Sequence, residues 1–182
     1  NQGWLPLHHA VRQSVHLEII QLLVNRYPPG VEVTDKQGST LLHIACRHGS
    51  NGKVVNCLMD KMGATVALVV DNNGFTPLHV ACKHGVPLDI LHYLVRIDNQ
   101  PLTMLDNRGE LPLHKACRGG HLHLIKEIID LHPPSVSVRN NQNELPIFIL
   151  CKRSGKDKEV RESVEYTETI WKLLLAHPET VV

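Results

Sequence analysis

Apolar side chains recur along this chain at helical spacing, in pairs of stretches that polar turns separate. The clearest first stretch places Leu78, Ala81 and Cys82 on one face of a short helix. Thr76 suits the N-cap of that helix, and Pro77 suits its first position, where the missing N–H costs nothing. The stretch that follows predicts a second helix, whose apolar face comprises Ile90, Leu91, Tyr93, Leu94 and Val95.

Turn-forming residues mark the limits of this pair of helices. Residues 71–74 read as a turn, because Asp and Asn bond locally to the backbone and Gly accepts a positive φ. Gly85 ends the first helix, as a left-handed C-terminal residue does. An irregular stretch at 98–103 leads to the next turn, at 106–109. The predicted unit is therefore a turn, a short helix, a second helix and a return loop.

The same unit occurs five times along the chain. Its anchor position is held at successive intervals of 35, 36, 35 and 34 residues by Leu7, Leu42, Leu78, Leu113 and Ile147. A fixed period in this range indicates stacked supersecondary units and not one closed core. We predict a single array over residues 1–182, with repeats at approximately 3–37, 38–73, 74–108, 109–142 and 143–182.

The residues after the turn resemble those of a known family. Thr76-Pro77-Leu78-His79-Val80-Ala81, following an Asp-x-x-Gly turn, is similar to the Thr-Pro-Leu-His-x-Ala signature of the ankyrin repeat. In-phase variants of it cover essentially the whole chain. The resemblance implies an all-α ankyrin-repeat solenoid of five stacked helix–turn–helix repeats with short β-turn fingers. The period exceeds the family's roughly 33 residues because the return loops are slightly long.

The fifth copy departs from the others. Phe148 stands where the other copies have His, Leu150 stands where they have Ala, and an insertion at approximately 155–165 separates its two helices. We predict that the outer helix begins early, near Asp157, and runs to about Ala176; the alternative is a solvated charged loop. Both ends of the chain match a repeat in progress, so we expect a window from a longer array.

Composition narrows the function. The chain has 19 Lys and Arg residues and 18 Asp and Glu residues, which gives a net charge of +1. Nucleic-acid-binding proteins usually carry a concentrated positive face, so we do not expect this chain to bind nucleic acid. No apolar run approaches the roughly 18–20 residues that cross a bilayer, so no direct membrane insertion is expected. Four of the five cysteines hold one repeat position, at a helix spacing too wide for disulfides, and we predict that they are buried as small apolar side chains: Cys46, Cys82, Cys117 and Cys151. Reduced thiols suggest a cytoplasmic, or at least intracellular, protein, with the nucleus not excluded.

Histidine and cysteine residues offer candidates for chemistry. The resemblance implies that His8, His43, His79 and His114 are structural, bonding to backbone and tying adjacent turns together. Ligands spread along a stack never meet at one tetrahedral centre, so we predict no metal and no cofactor. Cys82 and His79 lie one turn apart, but the second and fourth copies contain the same His and Cys pair. A catalytic site would be expected once, so we predict no enzyme.

The resemblance implies that the finger tips and the inner face of the first helices form a concave face that grips partners. We predict that this concave face binds a protein or peptide, with an acidic partner favoured; the alternative is a structural spacer or docking arm of a larger multi-domain or membrane-associated protein. The candidate binding residues are Trp4, Arg12, Lys36, Ser39, Arg47, His48, Asn73, Phe75, Lys83, His84, Arg108, Glu110, Arg118, Glu144 and Lys152.

Two features of these positions carry the prediction. One is a basic column, five residues after each anchor, formed by Arg12, Arg47, Lys83, Arg118 and Lys152. It would attract an acidic partner, or it would simply complement the dipole at the end of each short helix. The other is a pair of aromatic residues at exposed tips, Trp4 and Phe75, with burial under a preceding repeat as the alternative for Trp4. We expect Arg47, Lys83, Arg118 and Phe75 to contribute most of the binding energy.

Overall fold

Eleven α-helices make up most of the residues that the computed structural model describes, which are 4–154 and 163–176. Ten of them form five consecutive pairs, each with an inner helix followed by an outer helix. The inner helices are α1 (Pro6–Arg12), α3 (Leu41–His48), α5 (Pro77–His84), α8 (Pro112–Gly119) and α10 (Pro146–Ser154). The outer helices are α2 (Leu17–Arg26), α4 (Gly52–Met62), α6 (Leu88–Val95), α9 (Leu122–Leu131) and α11 (Val164–Ala176). Across 4–154 and 163–176 there is no β-strand, so the all-α class is confirmed.

The return loops hold short helical turns. They comprise α7 (Gln100–Thr103) and three 3₁₀ turns at 28–31, 64–68 and 133–137. Inner helices pack on inner helices in chain order, and outer helices pack likewise on outer helices. The repeats therefore stack side by side, as the period predicts.

Local signals begin and end the inner helices as the sequence predicts. At α5 the Thr76 side chain accepts a hydrogen bond from the backbone N–H of His79 at 3.3 Å, and Pro77 occupies the first position. The helix ends at Gly85, whose φ of 72° places it in the left-handed region. These contacts satisfy backbone groups that the helix itself leaves without partners.

Each finger is a β-turn closed by its own first side chain. In the third repeat the Gly74 N–H donates to the Asp71 carbonyl at 2.9 Å, and the Asp71 carboxylate accepts from the N–H groups of Asn73 and Phe75 at 2.8 and 3.0 Å. The same pattern recurs at Asp35, Asp106 and Asn140. The predicted short β-turn fingers are confirmed.

Backbone hydrogen bonds join each finger to the next. Asn107 donates from its backbone N–H to the Asn73 carbonyl at 3.2 Å, and from its side-chain amide to the Asn72 carbonyl at 3.2 Å. The approach is close enough that a Cβ on Gly74, whose φ is 76°, would lie 2.5 Å from Asn107 Oδ1. The fingers thus form a continuous ladder, which sets the spacing between repeats on this side of the molecule.

The core runs along the stack between inner and outer helices. The repeat-position cysteines Cys46, Cys82 and Cys117 are fully buried free thiols, packed as small apolar side chains as predicted. Burial raises the pKa of Cys46 to about 12, and it also raises the pKa of Cys82 and Cys117. Cys151 is exposed, so its predicted burial is wrong, because no inner helix follows α10 among the described residues.

The fifth repeat keeps the helix pair in spite of its altered sequence. Leu150 is buried where the other copies have Ala, and Phe148 is 45% exposed where they have a buried His. The helix α11 ends at Ala176, in agreement with the prediction. The helix begins only at Val164, so the predicted early start near Asp157 is wrong: Ser163 lies in a bend, and its Oγ accepts the Tyr166 N–H at 3.2 Å at the helix start. An ion pair between Lys172 and Asp130, at 2.5 Å, joins α11 to the preceding outer helix.

Candidate protein-binding surface

Three of the four signature histidines tie their inner helix to the next repeat. His43 Nδ1 accepts from the Thr40 N–H at 3.1 Å, which leaves Nε2 to donate to the Phe75 carbonyl at 2.7 Å. His79 bonds in the same way to the Thr76 N–H and the Glu110 carbonyl, at 3.2 and 2.9 Å. His8 likewise bridges the backbones of residues 5 and 33. The predicted bonding to backbone is thus present at His8, His43 and His79. His114 accepts the Leu111 N–H at 3.0 Å, but its Nε2 has no hydrogen-bond partner among the described residues.

These rings are held in the neutral form. Desolvation lowers the pKa of His8, His43 and His114, and it lowers the pKa of His79 to about 4. A neutral ring with one accepting and one donating nitrogen suits its two backbone partners. The histidines are therefore structural connectors of the stack.

The first two cations of the basic column lie against neutral side chains of their own fingers. The Arg12 guanidinium carbon lies 5.3 Å from the centre of a Trp4 ring, a cation–π arrangement. Arg47 Nη2 donates to Ser39 Oγ at 3.1 Å. In both repeats the cation contacts the residue eight positions before it, where the finger folds back over the inner helix.

The third cation borders a cavity of about 490 Å³ between the third and fourth repeats. Lys83 Nζ lies 5.5 Å from the centre of the Phe75 ring, again eight residues earlier, and Lys115 Nζ lies 4.5 Å from it. The cavity is lined by Asn73, Phe75, Lys83, Asn107, Arg108, Lys115, Arg118 and Gly119. It therefore combines an aromatic ring with four cationic side chains and no acidic one.

The last two cations are paired with carboxylates. Arg118 forms an ion pair with Glu110, and Lys152 forms one with Glu144, each again eight residues earlier. The basic column is thus neutralised within the protein in the fourth and fifth repeats. In the first three repeats the corresponding finger positions carry no acid.

Two segments of the chain match models of a known protein family. Residues 7–103 match a model of three ankyrin repeat copies, and residues 108–138 match a model of a single ankyrin repeat. The chain belongs to the ankyrin repeat family. No curated protein matches it. Ankyrin repeats are generally protein–protein interaction modules, and ankyrin repeat proteins are typically non-enzymatic scaffolds.

Not every predicted binding residue of this ankyrin array is accessible. Ser39 is 0% exposed and Glu110 is 1% exposed, so their predicted presentation on the concave surface is wrong. Each side chain is covered by the column cation that folds back over it, Arg47 or Arg118. Trp4 and Phe75 are half-buried and packed against the core, instead of standing at exposed tips.

The other predicted positions face solvent. Exposed side chains on this surface include Lys36, Asn73, His84 and Arg108, whereas Glu144 is half-buried under its ion pair. His48 is also exposed. Partial desolvation, followed by repulsion from Arg12 and Arg47, lowers the pKa of His48, so cations of successive ankyrin repeats act on one another here.

Sequence reasoning missed the role of Lys115. It is 4% exposed and lies 2.5 Å from carboxylate oxygens of both Asp106 and Glu110. Burial opposes ionisation of Glu110, but hydrogen bonds from Lys115 and Arg118 outweigh it and lower its pKa to about 2. The available signal was a lysine at an inner-helix position that is apolar in three other repeats, as Ile44, Val80 and Ile149.

The described part of the chain also bears on two other site classes. It contains no cluster of three or more His, Cys, Asp or Glu side chains that could hold a metal ion. No helix within 4–154 or 163–176 is long and apolar enough to cross a membrane.

Proposed function

We propose that this ankyrin array binds an acidic segment of a partner protein on its concave face, chiefly through its first three repeats. The observation that carries the proposal is the pairing of the basic column. Arg12, Arg47 and Lys83 lie against neutral side chains, whereas the two later cations already have carboxylate partners. A cation without an internal carboxylate keeps its full attraction for an acidic partner.

This pairing changes which residues we expect to contribute most to the binding energy. Arg118 shares buried Glu110 with Lys115, so a partner's carboxylate would have to compete with an existing ion pair. We therefore shift the expected binding energy from Arg118 to Arg12. Arg47 keeps its place, because one bond to Ser39 leaves four of its five N–H donors for a ligand.

The test is a charge reversal with a matched control. The triple variant Arg12→Glu, Arg47→Glu, Lys83→Glu would be compared with Arg26→Glu, Lys53→Glu, Lys61→Glu, which makes the same charge change at exposed positions on outer helices α2 and α4. Each protein would be used for an affinity pull-down from source-cell lysate, after circular dichroism has checked its folding.

We expect a partner that the parent and the control retain and the triple variant loses. Equal retention by all three proteins would contradict recognition through these cations. No specific retention by any of them would favour the spacer role instead. The retained protein should carry an acidic segment, because charge complementarity is the basis of the proposal.

We further propose that the chain is not an enzyme, does not bind nucleic acid, needs no metal and acts inside the cell. The signature histidines are committed to backbone bonds, which supports a structural role for them. A net charge of +1, with part of the basic column neutralised internally, argues against nucleic acid. Buried thiols at Cys46, Cys82 and Cys117 suit a reducing compartment.

A further inference from the structure

The three open cations of the basic column are carried by consecutive inner helices. Arg12 ends α1, Arg47 lies in the last turn of α3, and Lys83 lies in the last turn of α5. These helices pack against one another in that order. Since packed helices lie about 8–10 Å apart, we expect the positions that carry these cations to form a row with a step of about 9 Å.

The finger ladder keeps this step constant. The backbone N–H of Asn72 donates to the Gln37 carbonyl at 2.9 Å, and that of Asn107 donates to the Asn73 carbonyl at 3.2 Å. The signature histidines add one more bond per repeat on the same side, from His43 to the Phe75 carbonyl and its equivalents. A partner thus meets a preformed row of charges.

Of the regular backbone conformations, the polyproline II helix comes closest to a step of about 9 Å with side chains on one side. A polyproline II helix has three residues per turn and a rise of about 3.1 Å, so every third side chain returns to the same side after about 9.3 Å. In a β-strand, residues on one side recur every two positions, at about 6.6 Å. An α-helix returns a side chain to the same side after about 5.4 Å for one turn or about 10.8 Å for two turns, so neither fits the step as well.

The ion pairs of the fourth and fifth repeats indicate which chemical group each open cation would bind. In the fourth and fifth repeats the finger position eight residues before the cation is a glutamate, and its carboxylate binds the cation. In the first three repeats that position is Trp4, Ser39 or Phe75. The carboxylate is therefore left for a ligand to provide, and two of the three fingers offer an aromatic surface beside it.

We propose that the concave face recognises an acidic segment in the polyproline II conformation, with acidic side chains at every third position. Each of Arg12, Arg47 and Lys83 holds one carboxylate. Trp4 and Phe75 contact the intervening residues, since aromatic surfaces accept polyproline II ligands in other recognition modules. This inference rests on the proposed function and adds the conformation and the spacing of the ligand.

The first test measures spacing. Three fluorescent peptides of identical length and composition would each carry three Glu residues in a Pro- and Ala-rich background, spaced by two, three or four positions. Binding would be followed by fluorescence anisotropy. We expect the three-position peptide to bind more tightly by up to about 25-fold, because a misplaced spacing loses two ion pairs, each contributing up to about fivefold.

Two results would overturn the inference: equal affinities for the three peptides, or no binding of any of them at millimolar concentration. Equal affinities that all disappear in the triple variant would refute the spacing alone and leave acidic recognition intact. Loss of partner retention in the triple variant, measured separately, tests the proposed function without reference to spacing.

The second test assigns the register. The central glutamate of the peptide should pair with Arg47 whichever way the peptide chain runs. The parent protein and Arg47→Gln would therefore each be tested with the parent peptide and with a peptide whose central Glu is replaced by Gln. The variant should weaken binding of the parent peptide by about fivefold and leave binding of the altered peptide unchanged. Lys152→Gln, in the neutralised part of the column, should affect neither peptide. Equal weakening of both peptides by Arg47→Gln would overturn the pairing.

Discussion

Acidification from pH 7 to pH 5 should destabilise this array through its buried histidines, and His79 illustrates the effect. Its Nδ1 accepts the Thr76 N–H at 3.2 Å, and its Nε2 donates to the Glu110 carbonyl at 2.9 Å. Protonation of Nδ1 would break its bond to the Thr76 N–H and leave the Thr76 hydroxyl, 2.8 Å away, as the acceptor. Desolvation of the buried ring is the main cause that lowers the pKa of His79 to about 4.

The sign and magnitude follow from proton linkage. The unfolded chain has a histidine pKa of about 6.5, so between pH 6.5 and 4 it binds the proton more readily than the folded chain does. Stability is therefore fully present above about pH 6.5 and is lost as the pH falls toward 4. For His79 alone the loss between pH 7 and pH 5 is about 2 kcal/mol. His8, His43 and His114 act in the same direction.

Urea unfolding followed by circular dichroism at the two pH values would measure this loss. His79→Gln removes the titration, while its amide can still donate to the Glu110 carbonyl. The variant should be less stable than the parent at pH 7, but its loss on going to pH 5 should be smaller by about 2 kcal/mol. His16→Gln, at an exposed position, controls for the substitution itself. A His79→Gln protein that loses as much stability as the parent would refute the reasoning.

Three further predictions concern stability and reactivity. Lys115→Met should lower the free energy of unfolding in urea by about 3 kcal/mol, because it leaves buried Asp106 and Glu110 short of a cation. Lys152→Met, at an exposed ion pair, should lower it by less than about 1 kcal/mol. Equal losses for the two variants would contradict the burial argument. Gly74→Ala should destabilise the protein by at least about 1 kcal/mol more than Gly49→Ala. Both glycines have a positive φ, but only at Gly74 would a Cβ meet Asn107 of the next finger. Identical melting curves for the two variants would contradict the finger ladder. In native protein a thiol reagent should modify exposed Cys151 and leave Cys46, Cys82 and Cys117 unmodified until unfolding, as mass spectrometry of the labelled peptides would show.

The helices and fingers could be predicted because their signals are local. Thr76 caps the helix that it precedes, Gly85 occupies the left-handed position that ends it, and Asp71 bonds to N–H groups two and four residues ahead. None of these contacts depends on a distant part of the chain. Repetition of the same signals then reveals the stack, since one repeat cannot bury its apolar faces alone.

The exposure of the binding residues could not be predicted in the same way. Phase along the repeat placed Ser39 and Glu110 on the surface, but the finger folds back and the cation eight residues later covers each of them. Phe75 and Lys115 come together from adjacent repeats, at 4.5 Å, which no pattern within one repeat contains. The cavity therefore emerges only when two repeats are packed.

By itself, the sequence determined the period, the helix pairs, the turn fingers and the position of the basic column, because these depend on contacts within one repeat. Only the tertiary structure decided which of those cations remain open, because pairing depends on how each finger lies over its own helix and against its neighbour. That is why five equivalent cations in the sequence become three available cations and two neutralised ones in the folded protein.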